Sequence, residues 1–492
     1  MKHAIAILVL LLIANCTTAQ LVLPGDFPDP SVIKINDSYW ATATSSNWSP
    51  VFPLLQSKDL INWETKGSVF TTLPGWADYY FWAPEISYDK GKVYVYYSAH
   101  RKGGNLCVGV ASADDPSGPY TDHGPLVCQE AGSIDAFPVR DASGKLYLIW
   151  KEDGNSVRKP TPIWISEMSE DRKSLVGEKR EMFRNDTEWE GNLVEGVSII
   201  QRGGYYFAFY AGAGCCGREC NYATGIARAK ELFGPWEKYS GNPVIVSDDK
   251  WVCPGHGTPV EKNGRYYFLY HSYEKTTNVY TGRQGLLKEF VFTDDNWIKF
   301  VETPVPSITT LQENIRDEFD GTLSPRWQWS VFNEPQLNQN KGVLELSAGV
   351  NGVSMIGQKI YSGEYSASTT IDISRTSAQA GIAVIGDDGN YLALLSDGRK
   401  LVVEKVENGK HTRLSETPAE KVSKTVTFRL SVKEGNRLSF AVSYDGKSYK
   451  TISPQGIDQS MLPPWDRALR VGLLARGQNQ EKAVFENFIL YH

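Results

Sequence analysis

The sequence predicts an all-β chain: a five-bladed β-propeller followed by a β-sandwich of jelly-roll type. Three observations carry this. A strand motif rich in aromatics recurs five times, composition changes near residue 305, and an alternating strand pattern fills the rest of the chain. The 492 residues are enough for more than one core. Aromatic residues reach 12% and charged residues only 22%, which suits turn-rich β structure better than a helical bundle. The net charge of −6 without a basic block excludes a nucleic-acid groove.

Residues 1–19 begin with Lys2 and an apolar run from Ala4 to Ala14, about half the ~20 residues that a membrane-spanning helix needs. They read as a secretory signal, with Thr17 and Ala19 before a cut ahead of Gln20. A secreted or periplasmic protein follows, with lipidation at Cys16 as the alternative. No other segment is long and apolar enough to span a bilayer as a helix. Beyond Cys16 stand Cys107, Cys128, Cys215, Cys216, Cys220 and Cys253, an even set that in an exported chain reads as disulfides. Cys107 with Cys128 is the expected local pair, leaving the other four to pair among themselves.

The propeller is assigned to residues 20–305. DSYWATAT, GKVYVYYS, GKLYLIWK, GGYYFAFY and GRYYFLYH begin at residues 37, 91, 144, 203 and 264, each a strand entered from a tight turn. The spacing leaves room for one four-stranded sheet per repeat, and five such sheets close radially. A second repeat agrees: GVASADDPSGPY from Gly109 and GIARAKELFGPW from Gly225 place their final aromatic alike.

The strand before each repeated one is then the innermost and lines the central channel. Counting back eight residues from each repeat, or nine in the third, gives Asp29, Ala83, Asp135, Glu195 and His256. Four of these five are ionisable, and such groups are seldom buried without a partner or a purpose. Trp82, in FWAPEI, stands beside this ring, where an indole face suits the C–H face of a sugar. Two carboxylates across one channel can act as general acid and base, and a third raises the acid's pKa by like-charge repulsion. The residues alone thus point to a propeller that cleaves or binds sugars. Glu85 is off the shared register and is assigned a structural role. Asp26 is placed on the approach to the first strand, and Glu188 and Glu190 in a loop at the rim.

Residues 306–317 read as a linker, following the Pro-containing VETPVPSITT. From 318 to 492 the chain alternates in strand fashion, as in GVLELSAG, KLVVEKVE, VTFRLSVKE and ALRVGLLARG, which predicts the sandwich. Trp327, Trp329 and Trp465 are its tryptophans and are expected to be buried.

At its ring residues the chain resembles glycoside hydrolase family 43, five-bladed propeller enzymes acting on arabinose- and xylose-containing polysaccharides. The matching pieces are FPDPSVI around Asp29, WAPEI from Trp82, SIDAFPVRDASGKLYLIW around Asp135, LVEGVSII around Glu195, GHGTP around His256 and GRQ at Arg283. RDEFDGTLSPRWQW and AVFENFIL look like the concanavalin-like module attached to many members. By this resemblance Asp29 is the general base, Glu195 the general acid and Asp135 the residue that tunes and orients the acid. Inversion is implied, with carboxylates ~6.5–9.5 Å apart. The resemblance further implies that Arg283 reaches the sugar, or pairs with a ring acid. It also implies that His256 helps hold a water-coordinated cation, often calcium; the chemistry itself needs no cofactor. Trp48, in SSNWSP, is assigned to the wall of the sugar pocket, with packing as its alternative.

The expected activity is release of terminal L-arabinofuranose or D-xylose from plant cell-wall glycans by an exo-acting inverting hydrolase, acting as a monomer on a carbohydrate partner. The alternatives are a galactose- or galactofuranose-releasing enzyme, an endo-arabinanase, or a carbohydrate-binding propeller without catalysis. A retaining fructosidase would need an Asn-Asp-Pro-Asn-like nucleophile motif, and FPDPS speaks against it.

Overall fold

The computed structural model describes residues 19–302, 314–420, 424–454 and 456–492. The expected signal segment up to residue 18, with Cys16, and most of the expected linker lie outside the described residues.

Each repeat motif forms the second strand of its blade's antiparallel sheet, four-stranded in blades I to IV and five-stranded in blade V. Blade I runs Ser31–Ile35, Ser38–Thr42, Val51–Ser57 and Trp63–Phe70. Blade II runs Ala77–Asp89, Lys92–Arg101, Leu106–Ala113 and Thr121–Cys128. Blade III runs Ser133–Arg140, Leu146–Glu152, Ile163–Glu167 and Arg180–Phe183. Blade IV runs Val194–Arg202, Tyr205–Gly212, Ala223–Ala229 and Glu237–Lys238. Blade V takes Trp251–Lys262, Arg265–Glu274 and Arg283–Phe292, and is completed by Gln20–Leu23 and Ile298–Phe300, which both pair with Arg283–Phe292. The first strands of the five blades touch one another in a closed ring. Entry into the repeat strand is by tight hairpin: Asn263 and Gly264 both take positive φ (53° and 78°), the pairing that matches strand twist.

The aromatic residues of the repeat fill the wedges between blades. Tyr97 of blade II meets Phe52 of blade I at 5.4 Å between centroids, and Phe209 of blade IV stacks on Phe268 of blade V at 4.6 Å. The aromatic excess is therefore mostly core.

The second unit consists of a nine-stranded and a six-stranded antiparallel sheet. Leu344, Ile382, Phe428, Phe440, Leu473 and Phe485 are among the buried residues of the core between them. Its first strand, Ile315–Asp317, pairs with Lys482–Tyr491 and so begins ahead of the expected start at 318. Trp327 is buried in this core as expected, whereas Trp465 is 52% exposed.

The two units share more than a covalent link. Trp48–Ser49 pairs with Trp329–Ser330, and the other face of the six-stranded sheet packs Met355, Ile385, Tyr391 and Leu474 around Trp48. Asp26 accepts from Arg470 Nη2 and the Ala468 amide, both at 3.2 Å.

Three disulfides form among the described residues. Cys107–Cys128 bridges neighbouring strands of blade II as expected, Cys220–Cys253 joins blade IV to blade V, and Cys215 bonds to its neighbour Cys216.

Candidate active site

Four of the five ring positions share one local device. Asp29, Ala83, Asp135 and His256 all have positive φ (50°, 43°, 57° and 36°), and the fifth, Glu195, is followed by Gly196 at 62°. Antiparallel pairing is interrupted beside Ala83, Asp135, Glu195 and His256. Such bulges bend the strand end and re-aim side chains. The shared count to the repeat is the count to this bulge. Gly196 is required at its place: a Cβ there would come within 2.7 Å of the His256 ring, in a backbone conformation that other residues adopt with strain.

The side chains so aimed line a cavity of about 320 Å³ that holds Asp29, Asp135, Glu195, His256, Trp82 and Arg283. All the predicted site residues except Trp48 are brought together here. Trp48 is a correction: it is 3% exposed, packs under the sandwich with Arg470 over its ring at 5.0 Å, and lines no part of this cavity. Glu190 is another. Rather than lying at the rim, it is fully buried, where it caps a short 3₁₀ turn through the Thr187 amide and accepts from the Tyr210 hydroxyl at 2.8 Å. Glu85 is buried off the pocket, bonded by Thr258 Oγ1 at 3.3 Å, and burial pushes its carboxyl up to about 8.

Asp29 is held at both oxygens. Thr44 Oγ1 donates to Oδ2 at 2.7 Å, and Arg283 Nη1 donates to Oδ1 at 3.0 Å. The Asp29 amide donates to His271 Nδ1 at 3.0 Å, so that nitrogen is an acceptor and the ring of His271 is neutral. Burial depresses His271 to about 4, in keeping with this. Burial opposes charge on Asp29, but the Arg283 guanidinium outweighs it and holds the carboxyl well below the usual range. Asp29 is thus an ionised acceptor. Arg283 pairs with Asp29, as one of its two sequence readings has it, and lines the cavity.

Glu195 has a different environment. Lys151 Nζ donates to Oε2 at 2.6 Å and the Tyr222 hydroxyl donates to Oε1 at 2.8 Å. Lys151 also pairs with Asp153 at 3.0 Å. Burial works against the charge of Glu195, yet Lys151 and Tyr222 hold it below its usual value. Asp135 accepts from the Gly196 amide at 3.0 Å, and its carboxyl is raised by burial, with Glu195 and Asp29 adding and His256 and Lys151 opposing. His256 Nδ1 lies 3.7 Å from both Asp29 Oδ1 and Asp135 Oδ2, bridging the two halves of the site.

The donor set does not build a cation cage. Among the described residues no group of three or more His, Cys, Asp or Glu is arranged to hold a metal. The buried imidazole nitrogen without a partner is Nε2 of His271, not an atom of His256. A single imidazole is a poor match for a hard cation that prefers six or more oxygens, and no step is derived through an ion.

Several lining residues escaped the sequence reading. Lys151 ends the third repeat strand and was read only as strand. Trp465 and Asp466 come from the sandwich. Asp466 accepts from Trp82 Nε1 at 3.2 Å, its carboxylate also meets the Ser46 hydroxyl, and its carbonyl accepts from Arg283 Nη2 at 3.1 Å. Trp82 stacks on Tyr80 at 4.4 Å, and Trp465 stands edge-on to Trp82 at 5.8 Å. The sandwich thereby walls one side of the pocket.

Residues 19–298 match the model of glycosyl hydrolases family 43, and residues 316–482 match a β-xylosidase C-terminal concanavalin A-like domain. A xylosidase/arabinosidase 43B of Humicola insolens is 27% identical over 342 residues, covering 63% of this chain and 61% of that protein. A xylosidase/arabinosidase of Butyrivibrio fibrisolvens is 29% identical over 265 residues, covering 50% and 49%. The chain thus spans about half to three fifths of these two relatives. The crystal structure of the family 43 protein BlXynB of Bacillus licheniformis superposes with a TM-score of 0.82 at 24% identity, over 96% of this chain and 98% of that one, and so shares the fold. With the propeller's five blades matched from end to end, this chain belongs to glycosyl hydrolase family 43.

Proposed function

We propose that the protein is an exo-acting, inverting glycoside hydrolase that releases terminal L-arabinofuranose or D-xylose from plant cell-wall glycans. The observation that carries this is the split environment of the carboxylates. Asp29 is held ionised by Arg283, while on the other side of His256 burial raises Asp135 and Lys151 lowers Glu195.

Asp29 takes the proton of the attacking water as general base. The Asp135–Glu195 pair supplies the proton to the leaving oxygen: Glu195 takes up the proton that Asp135 releases as the Lys151 contact yields, donates it to the leaving oxygen and ends ionised, and Asp135 orients it. For Glu195 to donate, its contact with Lys151 must yield as the glycosidic oxygen arrives. Trp82, Tyr80 and Trp465 offer aromatic faces to the sugar ring, and Arg283 offers a donor beside Asp29. A cavity of about 320 Å³ walled by the sandwich suits one pentose ring better than a polysaccharide running through. The names of the two relatives pair the same sugars. Three disulfides support an oxidising destination, and so the export signal assigned to residues 1–19.

The test is a panel of aryl α-L-arabinofuranoside, β-D-xyloside and β-D-galactofuranoside substrates, with the first-formed anomer followed by NMR. Turnover of either pentoside with inversion is expected. Retention, or turnover of the galactofuranoside alone, overturns the assignment.

A further inference from the structure

The bond between Cys215 and Cys216 contributes little to constraining the fold. Disulfides stabilise by closing loops of the unfolded chain, and one between neighbours, at a sequence separation of 1, closes only the smallest ring. The neighbouring Cys220–Cys253 bond, at a separation of 33, does that work for this region. Yet Cys215 and Cys216 line the active-site cavity, beside Leu193, Asn155 and Ser156.

Their position relative to the proton donor is set by the sheet. The loop that carries them follows Tyr205–Gly212, and Ala211 of that strand pairs with Glu195. On the inside, Cys215 packs against a cluster containing Leu193, Ala211 and Tyr222, the residue bonded to Glu195. The loop is fixed at every turn. Gly214 and Asn221 exchange two hydrogen bonds, at 2.7 and 3.0 Å. The Gly217 amide donates to the Tyr273 hydroxyl at 3.3 Å, and Arg218 Nη2 donates to the Ser460 carbonyl of the sandwich at 2.9 Å. A surface held this firmly is prepared for contact rather than for movement.

We propose that the Cys215–Cys216 disulfide is the apolar platform of the leaving-group subsite, packing against the C–H face of the sugar that departs. This rests on the glycosidase reading above. A general acid protonates the bridging oxygen, so the departing sugar must lie against the elements that flank Glu195 toward the mouth of the pocket, and the disulfide is one of them. Two bonded sulfurs offer a compact, polarisable surface without the rotamer freedom of two separate side chains. Asn155 and Ser156 supply polar groups on the same lining for the hydroxyls of that sugar.

The test uses the full chain and its Cys215→Ala/Cys216→Ala variant, with an arabinose- or xylose-terminated trisaccharide as substrate and the free monosaccharide as inhibitor. Loss of the platform should lower kcat/KM for the trisaccharide about fivefold, about 1 kcal/mol at 1.4 kcal/mol per tenfold, mainly through KM. Inhibition by the monosaccharide should be unchanged. Equal kcat/KM, or an equal weakening of the monosaccharide, overturns the proposal. Should the variant fail to fold, the unmodified protein is treated with a graded series of a phosphine reductant, and reduced cysteines are mapped by alkylation and peptide mass. The loss of trisaccharide activity must then track the 215–216 bond; activity that persists after that bond is reduced overturns the proposal. An unmodified protein that cleaves neither pentoside overturns the substrate reading and this assignment with it, whereas an active protein unaffected by the change overturns this assignment alone.

Discussion

Lys151 Nζ lies 2.6 Å from Glu195 Oε2 in a site where the lysine is 1% exposed, so the proposed proton donor is held in its charged form until substrate displaces that contact. Replacing the lysine by methionine removes the attraction and lets Glu195 keep its proton to higher pH. The alkaline limb of kcat/KM for Lys151→Met should therefore move upward. Breaking a buried pair also costs about 3–5 kcal/mol of stability, since Glu195 and Asp153 lose their counter-charge. A pH–rate profile with a thermal melt checks both, and an unmoved limb refutes the role given to this contact.

Asp29→Asn and Glu195→Gln should each reduce kcat on aryl pentosides by about 10³-fold or more, by removing the base and the acid. Glu195→Gln keeps one acceptor, for Lys151, and leaves Asp153 as its counter-charge, so it should melt below the parent by less than Lys151→Met does. Normal rates in either variant, measured in a discontinuous assay of released sugar, remove that residue from the mechanism.

Glu85 is neutral in the fold, its carboxyl raised to about 8 from an ordinary value near 4.5. A raised folded-state pKa contributes stability that is complete below the unfolded value and is lost as pH climbs through the folded one. Between pH 4.5 and 8 the parent should lose stability that Glu85→Gln retains. At pH 8 and above the variant should be more stable by roughly 2–4 kcal/mol. Denaturant melts at pH 5 and pH 8 measure the difference, and parallel behaviour of the two proteins contradicts it.

Trp48 and Trp82 should separate cleanly. Trp48→Ala opens a cavity under the sandwich and should cost about 3–5 kcal/mol of stability with KM unaltered in the folded fraction. Trp82→Ala removes a face of the pocket and the Nε1 donor to Asp466, so KM should rise several-fold with a smaller change in melting. The reverse pattern would return Trp48 to the sugar pocket.

The propeller and its ring of acids could be read because both follow the short period of one repeat. Asp135 stands nine residues before its strand motif and the others eight, and all but the count to Asp29 end at a bulge where backbone geometry, not side-chain chemistry, turns the residue inward. Lys151 stood in plain view at the end of GKLYLIWK, but an alternating strand pattern does not say which of its last residues faces the axis. Trp465 and Asp466 were beyond reach, because their place depends on how the sandwich seats on the propeller, through contacts such as Asp26 with Arg470 that join distant parts of the chain. Trp48 misled for the same reason: next to the ring in sequence, it is claimed by the sandwich. The even cysteine count foretold disulfides, and only the loop geometry made neighbours of Cys215 and Cys216 into partners.

Gln20–Leu23 completes the last blade by pairing Gln20 with Leu287, so the ring is latched by the earliest described strand and nearly the latest. A chain made from its N-terminus must keep that strand unpaired until the whole propeller has followed it. Blades I to IV can each fold from neighbouring sequence, but the fifth waits for both ends. An N-terminal fusion or a misplaced cut within Gln20–Leu23 would then act on the last step of assembly, leaving blade V with an open edge and a protein prone to pair with its own copies.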